Sequence, residues 1–502
     1  MTATETGVKS NPAATPLAAQ DPADLYHELF ERVQMEAVYP DSKTFVDMLP
    51  RFSPTEILKN YRSQTPKSPE ELKKFVEAHF FPPGADSHAL APTSDAVEKL
   101  PIDEHIAKLW KELSRKPDVG VEDVSSLIPL PFAYVVPGGR FREIYYWDSY
   151  FTQLGLLADG EDEIFKGMVQ NFSHLLQATG RIPNGNRDYY RGRSQPPFFS
   201  LMISLWQERY GQQSALAFLP VLKTEHTFWM TGSRAVKVGE TEVLNRYWDD
   251  RAAPRPEAYK EDVKLAKHAE AKLKRSPSDV FRDLRAGAES GWDFGTRWFR
   301  DSNEFATIST TEFLPVDLNC LIYQLETKIA ELSALKGDEA EASRFRDLAA
   351  QRKALIQTYF WNSKSGTFRD YDLKNRAVSS EDTLAMLMPL FVGVATEAQA
   401  KSVEKVLTAK FLKAGGLVTT LKMSGHQWDS PNGWAPLQWL GYAGLQRYGL
   451  TKTASLVQKR WLALNEKVYQ ATGKMMEKYD VIDLKKMSGG GEYPNQDGFG
   501  WT

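Results

Sequence analysis

The 502-residue chain contains a single cysteine, Cys320. That count excludes an intrachain disulfide and any cysteine-rich metal site. Long hydrophobic runs are missing too. Nothing approaches the roughly 20 apolar residues that span a bilayer, so no membrane partner is expected. Lysine plus arginine number 62 against 65 aspartates and glutamates, a net charge of −3. The chain therefore lacks the basic excess of a nucleic-acid binder. There is no Walker-type phosphate loop, no His-Glu-x-x-His zinc helix and no Gly-x-Ser-x-Gly elbow. The eight histidines are scattered. Only His426 sits in a loop motif, where a hydrogen-bonding role outweighs that of ligand or base.

The N-terminal stretch MTATETGVKSNPAATPLAAQDP has no basic region followed by an apolar one. The location expected from this is the cytoplasm, with a periplasmic chain whose signal peptide has been removed as the alternative. Residues 1–20 read as a flexible tail, rich in Ala, Thr and Pro. Residues 21–502 read as one all-α domain, beginning with a helical extension to about residue 100. Asp21-Pro22 supplies an N-cap and a first-turn proline, and Leu25, Leu29 and Val33 follow at helical spacing. Leu318, Leu321, Ile322, Leu325, Ile329 and Leu332 form a stripe that ends at Gly337, with Cys320 expected as an inert buried thiol. Phe345, Leu348, Ala349, Leu355, Ile356 and Tyr359 form another. Period-2 strand patterns are scarce.

What the chain has in quantity is aromatics, 12% of residues with 13 tryptophans, many of them in polar loops rather than apolar runs. These loops are PGGRFREIYYWDSY (137–150), RIPNGNRDYYRGRSQPPFF, RYWDDRAAPRPEAY, ESGWDFGTRWFRD, HQWDSPNGWAP and SGGGEYPNQDGFGWT. Aromatic faces beside charged groups suit a polar, ring-shaped ligand such as a sugar, although core packing is the commoner use of any one Trp. Loops on a rigid helical scaffold are where function concentrates.

Carboxylates lie among those rings: Asp148, Glu257, Asp293, Asp429, Glu477, Glu492 and Asp497. Glycoside hydrolysis needs two, one protonated to donate to the leaving oxygen and one ionised to activate water or attack carbon. Asp293 stands between Trp292 and Phe294. Rings enclosing it would desolvate it and favour its protonated form; a capping or ion-paired Asp fits the same spacing. Arg140, Arg193 and Arg255 either converge on a pocket to bind hydroxyls or brace loops as ion pairs. Gly489, Gly490 and Gly491 before Glu492 suit a lid or a passive linker.

These motifs closely resemble one family, the trehalases, inverting hydrolases of α,α-trehalose. Residues 137–150 match the first signature, Pro-Gly-Gly-Arg-Phe-x-Glu-x-Tyr-x-Trp-Asp-x-Tyr, at every fixed position; QWDSPNGWAP, Gln427 to Pro436, matches the second. The resemblance runs from about Tyr39 to the last residue. It implies a single (α/α)6 toroid with long loops on one face around a central site, no cofactor and no metal. It places the general acid on Asp293 and the general base on Glu477. Sugar contacts carry over to Arg140, Phe141, Trp147, Asp148, Asn184, Arg193, Ser194, Gln195, Arg255, Glu257, Gly291 and Glu492. Two departures stand out: the glycine run is short, with Ser488 in front of it, and the chain ends at Thr502 where relatives run on through another helix.

The expected reaction is a single displacement of trehalose to one α- and one β-glucose, with the carboxyls roughly 6.5–9.5 Å apart to admit water. The only partner expected is the disaccharide, and the chain is expected to be a monomer. Rival expectations are phosphorolysis or hydrolysis of a phosphorylated trehalose, another disaccharide specificity, and sugar binding without turnover.

Overall fold

The computed structural model describes residues 21–83, 100–118 and 125–502. The tail expected over residues 1–20 lies outside the described residues. The chain opens with α1 (Pro22–Met35), α2 (Ser42–Val46), α3 (Pro54–Gln64), α4 (Pro69–His79) and α5 (Ile102–Leu113). Asp21 caps α1 by accepting from the Ala23 N–H, as the Asp-Pro pair implies. Leu29, Phe30 and Val33 are buried against Ile57, Leu72 and Val76. Tyr145, Tyr189 and Tyr190 complete that cluster from loops further along the chain.

A buried charge network locks this extension to the rest. Lys43 Nζ donates to Asp47 (2.5 Å) and to Glu143 (3.1 Å), while Arg187 Nε donates to Glu143 (2.9 Å). Tyr189 donates its hydroxyl to Asp47 (2.6 Å). Two cations against two acids leave no charge uncompensated, the condition under which buried ions are tolerated. Glu143 belongs to the 137–150 loop, so helices near the N-terminus hold the loop that carries Arg140 and Trp147.

The toroid follows in consecutive helices. They are α6 (Tyr146–Ala158), α7 (Asp162–Thr179), α8 (Phe199–Tyr210), α9 (Leu219–Trp229), α10 (Tyr259–Leu273) and α11 (Pro277–Glu289), then α12 (Val316–Lys336), α13 (Glu339–Tyr359), α14 (Met388–Phe391), α15 (Glu397–Val406), α16 (Ala435–Arg447) and α17 (Thr451–Thr472). Sequential partners α6–α7, α10–α11, α12–α13 and α16–α17 pack directly on one another. Contacts running α6–α8–α12–α14–α16 form the inner wall. The architecture is the all-α (α/α)6 toroid expected. The α12 stripe is buried with Cys320, and Gly337 ends the helix at φ +85°.

No strand among the described residues exceeds three residues. One pair matters for the site: β1 (Asn432–Trp434) runs antiparallel to β2 (Lys478–Asp480), with Trp434 opposite Lys478. The long loops 137–145, 184–198 and 427–434 run into the first turns of α6, α8 and α16. Helices α6, α8 and α16 thus present their N-terminal ends toward the same set of loops.

Candidate active site

A cavity of ≈ 540 Å³ opens where these loops meet, within the roughly 300–1,000 Å³ of small-ligand sites. Its wall contains Arg140, Phe141, Trp147, Asp148, Asn184, Arg193, Gln195, Arg255, Glu257, Gly291, Asp293, Glu477 and Glu492. Of the acid, base and sugar-contact residues that the resemblance implies, only Ser194 is not in the wall; Asp429 and Asp497, singled out as carboxylates, also lie outside it, Asp497 paired with Lys474 (2.7 Å). The Ser194 hydroxyl donates to the Ile182 carbonyl (2.6 Å) and its N–H to Glu289 (2.8 Å), so Ser194 anchors the loop from behind. A second groove of ≈ 260 Å³, beside α5, α6 and α16, offers one acid, Asp159. That carboxylate already accepts from the Trp110 indole (2.6 Å). Paired-acid chemistry belongs to the larger cavity.

Trp147 and Asp148 lie in the first turn of α6, where the signature loop becomes helical. Trp147 fits because Gly291 has no side chain: a Cβ there would lie 2.9 Å from the indole, and φ at Gly291 is +72°. Trp147 contacts Trp428 (5.8 Å) and Trp501 (6.0 Å). Trp428 stacks on Trp292 at 5.3 Å and on Trp434 at 4.0 Å. Phe141 meets Tyr145, Tyr493 and Phe499 edge-on.

The arginines both line the cavity and brace it. Arg193 pairs with Glu257 (2.5 Å) and Asp249 (3.5 Å). Arg255 pairs with Asp262 through two nitrogens (2.7 and 3.0 Å), and Arg140 lies 3.7 Å from Asp41. Buried atoms on wall residues still lack a protein partner: the Nε of Arg140 and Arg193, Glu257 Oε2 and Gln427 Oε1. A mix of spare donors and acceptors matches a hydroxyl-rich ligand, whose OH groups do both.

The carboxyls sit in different fields. Burial pushes Asp293 up to about 7, against Arg255, which pulls it down; Glu492 adds a further upward push. Burial likewise pushes Asp148 up to about 8, with Glu477 and Asp293 adding to it. Glu477, 2% exposed, instead holds an ion pair with Lys478 Nζ (2.7 Å) and accepts from the Tyr493 hydroxyl (2.6 Å). Glu492 accepts from His426 Nδ1 (2.6 Å) and from the Gln427 N–H (3.0 Å). His426 is therefore the hydrogen-bonding loop histidine anticipated. Asp429 is consumed structurally by Thr296, Thr420 and Ser424. Among the described residues no group of three or more His, Cys, Asp or Glu is placed to hold a metal.

Sequence reasoning missed Lys478, Tyr493, Gln427 and Asp41. Gln427 donates to the Asp293 backbone carbonyl and heads the second signature, which was signal enough to flag it. Asp41 and Tyr493 act on residues distant in sequence, and no local pattern marks them.

The trehalase family model matches residues 37–502. A periplasmic trehalase of Salmonella schwarzengrund is 45% identical over 98% of this chain and 87% of its own length. One from Salmonella agona is 44% identical over the same shares. Among solved structures, the neutral trehalase of Saccharomyces cerevisiae superposes with a TM-score of 0.62 at 28% identity, over 74% of this chain and 71% of that one. A mannosylglycerate hydrolase of Thermus thermophilus shares the fold at TM-score 0.54 and 18% identity, over 80% and 98%. The relatives at 45% identity are periplasmic enzymes, which overturns the cytoplasmic expectation. That expectation rested on a pattern missing from one end of the chain, and a missing pattern carries no positive signal for a compartment. Two complete signatures, a toroid built around their loops and a family match over nearly the whole length agree: the chain belongs to the trehalase family.

Proposed function

We propose that this enzyme hydrolyses α,α-trehalose by inversion. Asp293 protonates the bridging oxygen as the carbon–oxygen bond breaks, and Glu477 takes a proton from the water attacking the anomeric carbon on the opposite face. One glucose leaves as the β anomer and the other as α. What carries this reading is the contrast in one cavity wall: Asp293 favours its protonated form near neutral pH, while Glu477 is paired to an ammonium and a hydroxyl donor. A carboxyl that keeps its proton, across a cavity from one in contact with a cation, suits an acid and a base. Arg140, Asp148, Asn184, Gln195, Arg255, Glu257 and Glu492 bind sugar hydroxyls, and Phe141 and Trp147 offer apolar faces.

Phosphorolysis is the weaker reading, because Arg193 and Arg255 already face Glu257, Asp249 and Asp262 rather than standing free for phosphate. We place the enzyme in the periplasm, as its relatives are. Residues 21–502 act as one catalytic domain and as a monomer.

A proton NMR time course on trehalose in phosphate-free buffer tests the reaction. Equal early signals of α- and β-glucose are expected. Two α signals would show retention, and no glucose from folded protein would sink the assignment.

A further inference from the structure

Glu477 is wrapped by one short strap of chain. Its N–H donates to the Gln496 carbonyl (3.0 Å) and its own carbonyl accepts from the Trp501 indole (3.1 Å). The neighbouring Lys478 carbonyl accepts from Asn495 (2.9 Å) and from the Gly489 N–H (3.2 Å). The strap begins with the glycine run, and at Gly491 a Cβ would overlap Gln427, so only glycine lets the chain pass that close. Immediately beyond come Glu492 and Tyr493. Glu492 is tied to His426 and Gln427, on the Asp293 side of the cavity. Tyr493 reaches the other way and donates to Glu477 Oε1 (2.6 Å).

We propose that Tyr493 is a positioning residue for the hydrolysis: its hydroxyl, carried onto Glu477 by the strap, fixes the base carboxylate with its remaining lone pairs toward the attacking water. The inference rests on Glu477 being the base. A carboxylate offers about four lone-pair sites, and Lys478 and Tyr493 occupy one on each oxygen. Together they leave the plane of the group no freedom to rotate while sites stay open for water. The charged groups facing Tyr493 are Glu477, Lys478, Asp293 and Arg140; the Lys478 ammonium lies 4.5 Å and the Arg140 guanidinium 5.2 Å from its ring centroid. Burial, with Glu477 and Asp293 adding to it, pushes the phenol well above its ordinary range, so it stays a donor across the working pH. Consecutive residues of one strap thus touch the surroundings of both carboxyls, and placing the strap completes both.

The test is Tyr493→Phe, which keeps the ring and removes the hydroxyl, with Glu477→Gln in parallel and circular dichroism melts as folding controls. For Tyr493→Phe, kcat on trehalose is expected to fall about 10- to 100-fold, a loss at or below the range of general-base removal, with KM nearly unchanged. Near-native kcat would overturn the inference, as would matched changes in kcat and KM, the mark of packing alone. Should the phenylalanine variant melt before assay temperature, Tyr493→Leu, which also lacks a donor, supplies the same readout. Substantial activity in Glu477→Gln would remove the base assignment itself. An inactive Glu477→Gln beside an unaffected Tyr493→Phe would remove only the role of Tyr493.

Discussion

Asp293 and Glu477 share a cavity and a functional group, and their surroundings differ in one respect. Around Asp293, the cations that feel it, Arg255 and Arg193, are each in contact with an acid of their own. Its burial therefore goes largely uncompensated, and the proton is held. Around Glu477 a cation is in direct contact and a hydroxyl donates to the opposite oxygen. For the reaction proposed, the same side-chain chemistry would supply both an acid and a base according to which carboxyl receives an unshared cation. Asp148 complicates the comparison usefully. It is buried where Asp293 is half-buried, and it is pushed higher, to about 8, so a raised carboxyl is not by itself the mark of the proposed acid.

The largest expected effect separates the two roles directly. Asp293→Asn and Glu477→Gln should each lose about 10²–10⁴-fold in kcat on trehalose, the usual span for removing an acid or base. With α-glucosyl fluoride, whose leaving group needs no proton, Asp293→Asn should recover most of its activity and Glu477→Gln should not. If Asp148→Asn shows that rescue in place of Asp293→Asn, the acid has been misassigned.

Next in size is the ion pair. Lys478→Met strands a buried carboxylate and should cost about 3–5 kcal/mol of stability, read as a lower denaturation midpoint. The double variant with Glu477→Gln should regain much of that loss; no recovery would mean that Lys478 acts through packing against Trp434 and Tyr493.

A smaller effect concerns pH. If Asp293 is the acid proposed, it must be protonated to act, and kcat should be retained below about 7 and fall as pH rises through it. Glu492 contributes to the upward push on Asp293, so Glu492→Gln should draw that alkaline limb to lower pH. A limb moving upward would place Glu492 outside the field of Asp293.

The smallest is on stability. Asp148 and Asp293 carry folded values of about 8 and 7 against an ordinary 3.8. Between those limits the folded chain binds more protons than the unfolded one, so these groups favour folding at low pH and withdraw that support as pH rises. Thermal melts should show Asp148→Asn raising Tm more at pH 8.5 than at pH 5.5; equal shifts would deny Asp148 its displaced titration.

Legibility from sequence followed the range of the interactions. Asp21 capping α1, the stripe along α12 and its stop at Gly337 depend on residues within a turn or two, and all were readable. The enclosure of Asp293 was partly readable, since Trp292 and Phe294 beside it are both buried. Glu477 was not. In MMEKYD it looks like any acid next to a lysine, and its meaning comes from β2 pairing with β1 and from Tyr493 arriving 16 residues later. Ser194 is the converse case: it sits in sequence between two wall residues, but the chain turns its hydroxyl to the Ile182 carbonyl.

The tryptophans of this wall also make it an optical device. Trp147, Trp428, Trp434 and Trp501 border the cavity, and Trp292 stacks behind them. Trp428 and Trp434 lie face to face at 4.0 Å and 1°. Indoles that close share their excited states, so the set absorbs and emits as a coupled chromophore whose handedness is fixed by the fold. A sugar sliding along Trp147 would disturb that coupling, and its arrival would register in near-ultraviolet circular dichroism and intrinsic fluorescence with no label attached to enzyme or substrate.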